Sequence, residues 1–416
     1  MKKTIQRFEY GTLRIGEDGF NKNHWKAFVK LNEVNSSKYF EVLHNGLKFN
    51  HYVGVIQVDN ILVEILPKAD KDDDDSKWQG VLIGMLKACG KLKAESNDSA
   101  NVKRQHLNLL EVYFELYLKE IEKLQRQGLI KQYRKNTENV KALKGKLEFS
   151  GNIRHNLVHK ERFYTTHQVY DVDHKLHQVL NVALKIVSQF TKGTRLSNLS
   201  SRVNLGFPQV ANINVTASLL KKLKLNRKSA HYSYALELAR LIILNYSPDI
   251  KGGQEKMLSL LFNMNDLWEE YVLVRLRQWN IENNLGFTIK GQSTNTFIGN
   301  HYLKPDIVLE KDNETFVIDT KWKRPQGSAS VQDLRQMYTY CRYWNATKAM
   351  LLYPGSPTKS TSYKTFTTDD YQNHNTEVKV IKHLCKLGFV SVLEHDSNKL
   401  SQKLGQSIFN LLKINP

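Results

Sequence analysis

Three observations predict an α+β protein. Short apolar runs of strand length, bounded by turn residues, crowd residues 40 to 68 and recur between Gly286 and Tyr353. From 105 onward the apolar residues recur at helical spacing instead. The carboxy-terminal strands are bracketed by amphipathic helical patterns, which reads as a mixed sheet flanked by helices. The expected layout is a β-rich domain over 1–104, a basic and mainly helical region over 105–255, and a mixed-sheet domain over 256–416.

The amino-terminal strands come in pairs. Phe40-Glu41-Val42-Leu43 and Leu47-Lys48-Phe49 flank Asn45-Gly46, a hairpin turn signal. Tyr52 to Val58 and Ile61 to Lys68 flank Asp59-Asn60 in the same way. Residues 68 to 77 (KADKDDDDSK) form a charged loop without the glycine or closing glutamate of a calcium-binding loop. Trp78 to Leu92 is an apolar helix. Its Gly84 to Leu92 stretch imitates a phosphate-binding loop but has five residues between the glycines, and Leu92 stands where Ser or Thr is required. Any energy from nucleotide hydrolysis must therefore come from a partner.

Residues 105 to 132 read as one long helix, followed by a basic, partly helical stretch over 125–135. Asp171, Asp173, His174 and His177 can be read as a metal cluster. Helix N-capping by Asp171 or Asp173, with polar packing of the histidines, explains them more simply. Lys221, Lys222, Lys224, Arg227 and Lys228 are the densest basic cluster, interleaved with tyrosines further on. They suit phosphate contacts, and equally a protein partner. Pro248 to Gly253 reads as a linker.

Composition narrows the class. The chain has 416 residues, enough for two or three cores, with 41% hydrophobic residues and only 8 prolines, so it is globular rather than disordered. No run approaches the ~18 apolar residues of a membrane span. Met1-Lys2-Lys3 is basic, but no apolar signal region follows. The 3 cysteines, Cys89, Cys341 and Cys385, are scattered, which points to a reducing cytoplasm and away from disulfides. The net charge is +20, and residues 101 to 250 hold 25 Lys and Arg against 11 Asp and Glu. A basic field of that size attracts polyanions, nucleic acid first.

The chemistry concentrates near the carboxy-terminal hairpin. Lys304-Pro305-Asp306 is followed, thirteen residues after the aspartate, by Asp319-Thr320-Lys321. Two apolar strands joined at Lys311 to Asn313 lie between. Alternation puts Asp319 and Lys321 on one face, and strand pairing can bring Asp306 beside them. The carboxylates are hard ligands for Mg²⁺, and Lys321 can orient or activate water. A surface hairpin with two solvated aspartates and an exposed lysine fits the same residues. Asn265 or Asp266 is the expected cap of a helix running to Leu276. On it Glu269 shares a column with Leu273 and Leu276, which makes it the inward carboxylate rather than Glu270. Gln332 to Tyr340 is a second amphipathic helix, and Thr347 to Tyr353 a buried strand. Lys399 to Lys413 is the expected last helix.

The spacing P-D-(x)n-(D/E)-x-K resembles the PD-(D/E)xK nuclease superfamily. More narrowly, FNMNDLWEEYV, KPDIVLE, VIDTKWK and DLRQMYTYCRYW resemble the nuclease region of the McrC family. VGVIQVDNILVEILPK is similar to that family's amino-terminal, partner-docking region, and the run from Ala142 through Leu180 resembles its central part more loosely. There His177 stands where the family commonly shows Asn. The resemblance implies a Mg²⁺-dependent DNA endonuclease subunit, antiviral in role, of a restriction system acting on 5-methylcytosine DNA. Its partner would be an AAA+ GTPase of McrB type. In that reading Asp306, Asp319 and Glu269 form the metal site, Lys321 positions water, and Gln336 orients water or backbone. Lys323 and Arg324, with the Lys221 to Lys228 cluster, would contact DNA. A free-standing nuclease of DNA repair or RNA processing, and a non-catalytic adaptor of a motor protein, are the alternatives.

Overall fold

The computed structural model describes residues 3–58, 61–67, 75–92, 108–247, 257–312, 314–323, 325, 328–366, 382–394 and 400–413. They gather into two units. One holds Met1, Gln57–Asn60 and Asn108–Leu260; the other holds Lys2–Ile56, Ile61–Leu107 and Leu261–Pro416. The amino- and carboxy-terminal segments, read separately in the sequence, thus share a unit. The 248–253 linker, the 68–74 part of the charged loop, Asn313 and Arg324 lie outside the described residues.

The chain opens with β1 (Lys3–Phe8), β2 (Thr12–Arg14), α1 (Lys22–Val34), β3 (Phe40–Leu43), β4 (Gly46–Phe49), β5 (Tyr52–Val58), β6 (Ile61–Leu66) and α2 (Asp75–Ala88). β1 lies parallel to β6, from Lys3 opposite Ile61 to Phe8 opposite Leu66. β6 is buried along its whole length, and its Glu64 is sustained by donations from Gln6 and Gln79, each at 2.9 Å. β2, β4 and β3 form a small antiparallel sheet. α1 begins at Asn21, whose side chain accepts from the backbone of Asn23 and His24 while His24 Nδ1 accepts from Asn21, a reciprocal cap. β1 and α1 are additions to the sequence reading. β1 is polar in sequence and acquires its strand identity from a partner far along the chain.

The middle unit is built on α3 (Leu109–Gln127), capped by Asn108 and burying ten residues. The expected continuation to 132 does not occur: the helix ends at Gln127 and Gly128 takes φ +87, where a side chain is disfavoured. The basic stretch over 125–135, expected to be partly helical, is helical to Gln127 and, past Gly128, runs into β7 (Gln132–Val140). β7 pairs antiparallel with β9 (Phe163–Asp171) over nine residues, and β8 (Lys146–Leu147) pairs with the other edge of β9. α4 (Phe149–Asn156) lies between β8 and β9 in sequence. The region thus combines its helices with a ribbon that the sequence did not signal, because β7, polar and mostly exposed, carries no apolar alternation. Then come α5 (Lys175–Thr191), α6 (Ser197–Gly206), α7 (Ala217–Lys222) and α8 (Ser233–Leu244). α5 starts at His174, not under an aspartate cap; Asp173 instead accepts from Gln178 and the backbone of Ala211. Tyr117 of α3 donates to the carbonyl of Leu180 at 2.6 Å in the buried core. Tyr117→Phe is expected to cost about 1 kcal/mol, measured as a lowered urea midpoint at unchanged slope.

β10 (Tyr246–Ser247) pairs with β11 (Met257–Asn263), which carries the chain into the larger unit. There follow α9 (Met264–Glu282), β12 (Thr288–Gly291), β13 (Asn295–Ile298), β14 (His301–Leu303), β15 (Ile307–Lys311), β16 (Glu314–Thr320), α10 (Val331–Trp344), β17 (Lys348–Pro354), β18 (Lys364–Thr365), β19 (Leu384–Val390) and α11 (Leu404–Leu411). α9 is capped by Asn263, two or three residues earlier than the expected Asn265 or Asp266, because Asn263 is the extended residue whose side chain reaches the Asn265 amide. α11 is shorter than the expected 399–413 helix.

The six-stranded sheet runs β12-β15-β16-β17-β19-β18. β15 is antiparallel to β12 and β16, whereas β16, β17 and β19 run parallel. Strands buried on both faces must be apolar throughout, which explains the continuous runs of β15, β16 and β17. On one face Met337, Tyr340 and Cys341 of α10 pack with Val308, Val317, Ala349 and Leu351. On the other, Phe287 meets Phe316 edge-on and Phe409 of α11 at a tilt, and Leu411 reaches Gly388 of β19. No helix among the described residues is long and apolar enough to cross a membrane.

Candidate active site

Register creates the site. Ile307 pairs with Ile318, which sets Asp306 across from Asp319. β16 lies inside the sheet between β15 and β17, so Asp319 near its end is only 2% exposed. The chain leaves β16 with the amide of Lys321 bound to the Leu352 carbonyl at 2.9 Å. Alternation returns Lys321 to the face of Asp319, and its Nζ sits 2.6 Å from Asp319 Oδ2. Thr320 serves the other carboxylate: its amide and hydroxyl donate to Asp306 Oδ2 at 2.6 and 2.9 Å.

The electrostatics follow from burial. Asp319 is pushed up to about 6, first by burial and then by the charge of Asp306, against the pull of Lys321. Asp306 is raised by burial, against the two Thr320 donations, Lys321 and Lys304. Burial works against the Lys321 charge, but Asp319, Asp333 and Asp306 outweigh it and hold the ammonium protonated.

α9 adds one more acid. Glu269 is raised to about 7, first by burial and then by Asp306, while a hydrogen bond with the Gln292 side chain opposes. Glu270, one residue on, instead pairs with Lys91 at 2.8 Å near the surface. The two glutamates therefore face different surroundings, and Glu269 is the one that senses Asp306.

α10 supplies the far wall. Ser330 caps it, accepting from the amide of Asp333. Asp333, 9% exposed, holds Lys323 Nζ at 2.9 Å from one oxygen and stands 3.9 Å from Lys321 Nζ with the other. Gln336 donates to the Tyr340 hydroxyl at 2.7 Å, which in turn donates to the Lys304 carbonyl at 3.0 Å. It thus belongs to the wall through Tyr340. Asp333, Thr320 and Tyr340 went unrecognised in the sequence. The spacing from Ser330 to Asp333 signals only a helix start, and a threonine between two charged residues signals nothing.

Among the described residues, no group of three or more His, Cys, Asp and Glu side chains is arranged to hold a metal ion. Asp306 and Asp319 form an opposed pair, and Glu269, bonded to the Gln292 side chain, is the acid beside Asp306 whose proton affinity Asp306 raises. The alternative cluster at His174 and His177 is structural. The rings lie 4.1 Å apart at a tilt, and His177 spends its nitrogens on the Val172 carbonyl at 2.8 Å and the Tyr232 hydroxyl at 3.1 Å. Lys221, Lys222, Lys224, Arg227 and Lys228 are exposed on and after α7, in the middle unit. Lys222 and Lys224, with Lys175, border a cleft of about 530 Å³ there.

Fold and site together define an α+β protein with two opposed carboxylates, one of them buried, and a lysine at the end of a mixed sheet. A family model described as McrBC 5-methylcytosine restriction system component matches residues 47–354. A Type IV methyl-directed restriction enzyme EcoKMcrBC of Escherichia coli (strain K12) is 20% identical over 257 residues, 56% of this chain and 72% of its own. Among solved structures, the half-complex from a tetradecameric assembly of Thermococcus gammatolerans McrB AAA+ hexamers with bound McrC has a TM-score of 0.71 at 21% identity, covering 99% of both chains. The chain belongs to the McrBC 5-methylcytosine restriction system component family.

Proposed function

We propose that this chain is the nuclease subunit of its restriction system and hydrolyses DNA phosphodiesters with Mg²⁺ on a PD-(D/E)xK core. The observation that carries the proposal is the opposed Asp306 and Asp319 carboxylates, Asp319 fully buried and Asp306 partly so, with Lys321 Nζ 2.6 Å from Asp319. A structural ion pair needs one carboxylate; a second acid opposite it, both with raised proton affinity, is a costly arrangement that a cation relieves.

The donor set fits Mg²⁺. Asp319 Oδ2 is buried and, although Lys321 is near, receives no aligned hydrogen bond. Mg²⁺ typically takes one or two carboxylates and keeps several waters, so a two-acid site suffices. Asp306 and Asp319 would hold it, and Glu269 beside Asp306 adds negative charge. Bound there, the ion would polarise the scissile phosphate and lower the pKa of water. Thr320 fixes the orientation of Asp306. Lys321, kept cationic by three acids, orients water and stabilises charge developing on phosphate. Asp333 holds Lys323 on the same rim, and Gln336 keeps Tyr340 in place. Each site serves one strand, so a double-strand break requires two copies.

The structure of the Thermococcus relative holds McrC on McrB AAA+ hexamers. By its family, this chain works with an AAA+ GTPase of McrB type, which recognises modified DNA and recruits the cut; the surroundings would be cytoplasmic. The test is plasmid cleavage, methylated and unmethylated, by the chain alone and with its McrB-type partner, GTP and Mg²⁺. Cutting that needs partner and methylation supports the proposal. Cutting by the chain alone would instead mark a free-standing nuclease, and no cutting under any condition a non-catalytic adaptor.

Two further outcomes are expected. Mg²⁺ at a hundredfold its Kd should stabilise the wild-type chain by about 2.7 kcal/mol, seen as a raised Tm, and leave Asp319→Ala unmoved. Glu269→Gln should slow cleavage at least about tenfold, whereas Glu270→Gln, which breaks only the surface pair with Lys91, should stay within about threefold. Equal effects of the two substitutions would remove Glu269 from the site.

A further inference from the structure

The residue after Lys321 is held by the other end of the chain. Trp322 is 4% exposed, and its indole Nε1 donates to Glu9 Oε1 at 2.6 Å, across 313 positions of sequence. Glu9 is itself 5% exposed. It stands just past β1, with its amide bound to the Leu66 carbonyl at 2.9 Å, so β6 fixes its backbone. A tight turn follows, closed by the Gly11 amide on the Phe8 carbonyl at 3.0 Å, with Tyr10 at φ +60. A Cβ on Gly11 would lie 2.8 Å from that carbonyl oxygen, so the turn has little freedom. On its other side the Trp322 ring lies 5.3 Å from that of Trp268, which is fully buried in α9 and immediately precedes Glu269.

Burying a carboxylate so far from water is costly unless it is matched, and a hydrogen bond to a charged or buried partner is correspondingly strong. Packing against Trp268 would hold the Trp322 ring without any acid. The acid adds direction: it fixes the rotation of the indole and, through it, the backbone that presents Lys321. Lys321 has one backbone anchor before the ring, its amide on Leu352, and the Glu9 bond supplies the second, one residue later.

We propose that Glu9 is a positioning residue of the candidate active site, acting through the Trp322 indole to hold Lys321 against Asp319. The proposal rests on the nuclease reading above. A displacement of a catalytic group by about 1 Å can cost roughly a hundredfold in rate, so losing the second anchor should appear in turnover rather than in DNA binding.

The test uses the full chain with its McrB-type partner, GTP, Mg²⁺ and methylated DNA. Glu9→Leu and Trp322→Phe are each expected to lower the single-turnover cleavage rate by about 30-fold with DNA retention unchanged. The double variant should lose no more than either single one, because both break the same bond. Glu9→Gln keeps an acceptor oxygen and should restore the rate to within about threefold of wild type. Trp322→Phe preserves the ring against Trp268, so it reports even where Glu9→Leu fails to fold. Additive losses, equal impairment by Gln and Leu, or wild-type rates in Trp322→Phe would overturn the proposal. Asp319→Ala run alongside separates the two levels. If Asp319→Ala also cleaves normally, the nuclease reading fails; if only the Glu9 and Trp322 variants do, the positioning role fails alone.

Discussion

Asp319→Asn is expected to abolish DNA cleavage and, in metal-free buffer at pH 8, to raise the melting temperature of the same protein. Asn keeps the shape of the side chain but neither the charge nor the ligand strength of a carboxylate. Loss of a carboxylate that would hold the cation polarising the reacting phosphate should cost at least about 10³-fold in rate. The stability effect has the opposite sign for a physical reason. Asp319 is 2% exposed, and burial and then Asp306 raise its folded pKa from 3.8 to about 6. A raised carboxyl pKa means that ionisation is harder in the folded than in the unfolded chain, so the charged form burdens the fold above pH 6. Replacing it with a neutral isostere should therefore return about 1–3 kcal/mol at pH 8. The gain should fade as pH falls from about 6 through 3.8, below which the wild-type acid is protonated in both states. Thermal melts of the two proteins at pH 8 and pH 4.5, with chelator, check the sign. Asp319→Asn melting below wild type at pH 8 would mean that the carboxylate is a net stabiliser and the pair with Lys321 merely structural.

Lys321→Met is expected to remove cleavage as well, by at least about a hundredfold, and to lower stability where Asp319→Asn raises it. Methionine fills the space of the lysine stem but withdraws the cation 2.6 Å from Asp319. That leaves two opposed carboxylates with Lys304 as the remaining cation acting on Asp306. Breaking one partner of a buried pair costs about 3 kcal/mol when the survivor must stay ionised. Because Asp319 can escape by binding a proton, the penalty should be largest at pH 8 and shrink as the solution is acidified. The two substitutions remove opposite members of one pair, so their opposed effects on Tm form an internal control. Parallel destabilisation by both would show that the site behaves as an ordinary salt bridge. Cleavage retained by Lys321→Met would transfer the water-orienting role to another group.

Much of the site was written locally. The hairpin of β15 and β16 follows from apolar runs that need no partner to be recognised, and strand alternation alone places Lys321 on the face of Asp319. Helical spacing likewise separates Glu269 from Glu270, which indeed occupy different surroundings. The failures have a common form. β7 and β9 pair over nine residues without an apolar pattern, so neither was recognised as a strand. The cap of α9 moved to Asn263 and that of α5 to His174, because capping depends on backbone angles that composition does not set. Asp333 carries a helix-start signal that conceals its second face, turned toward Lys321 and Lys323.

The sequence by itself determined the α+β class, the grouping of Asp319 and Lys321 on one strand face and the family resemblance, since each is encoded in patterns a few residues long. Only the tertiary structure decided which groups surround that chemistry. Asp306 opposite Asp319 depends on register, Asp333 on the docking of α10, and Glu9 on the pairing of β1 with β6, a strand some 58 positions later. Local patterns tell a side chain which way to face. Its partner is chosen by burial and hydrogen bonding between segments far apart in the chain, and those terms have no signature in either segment alone.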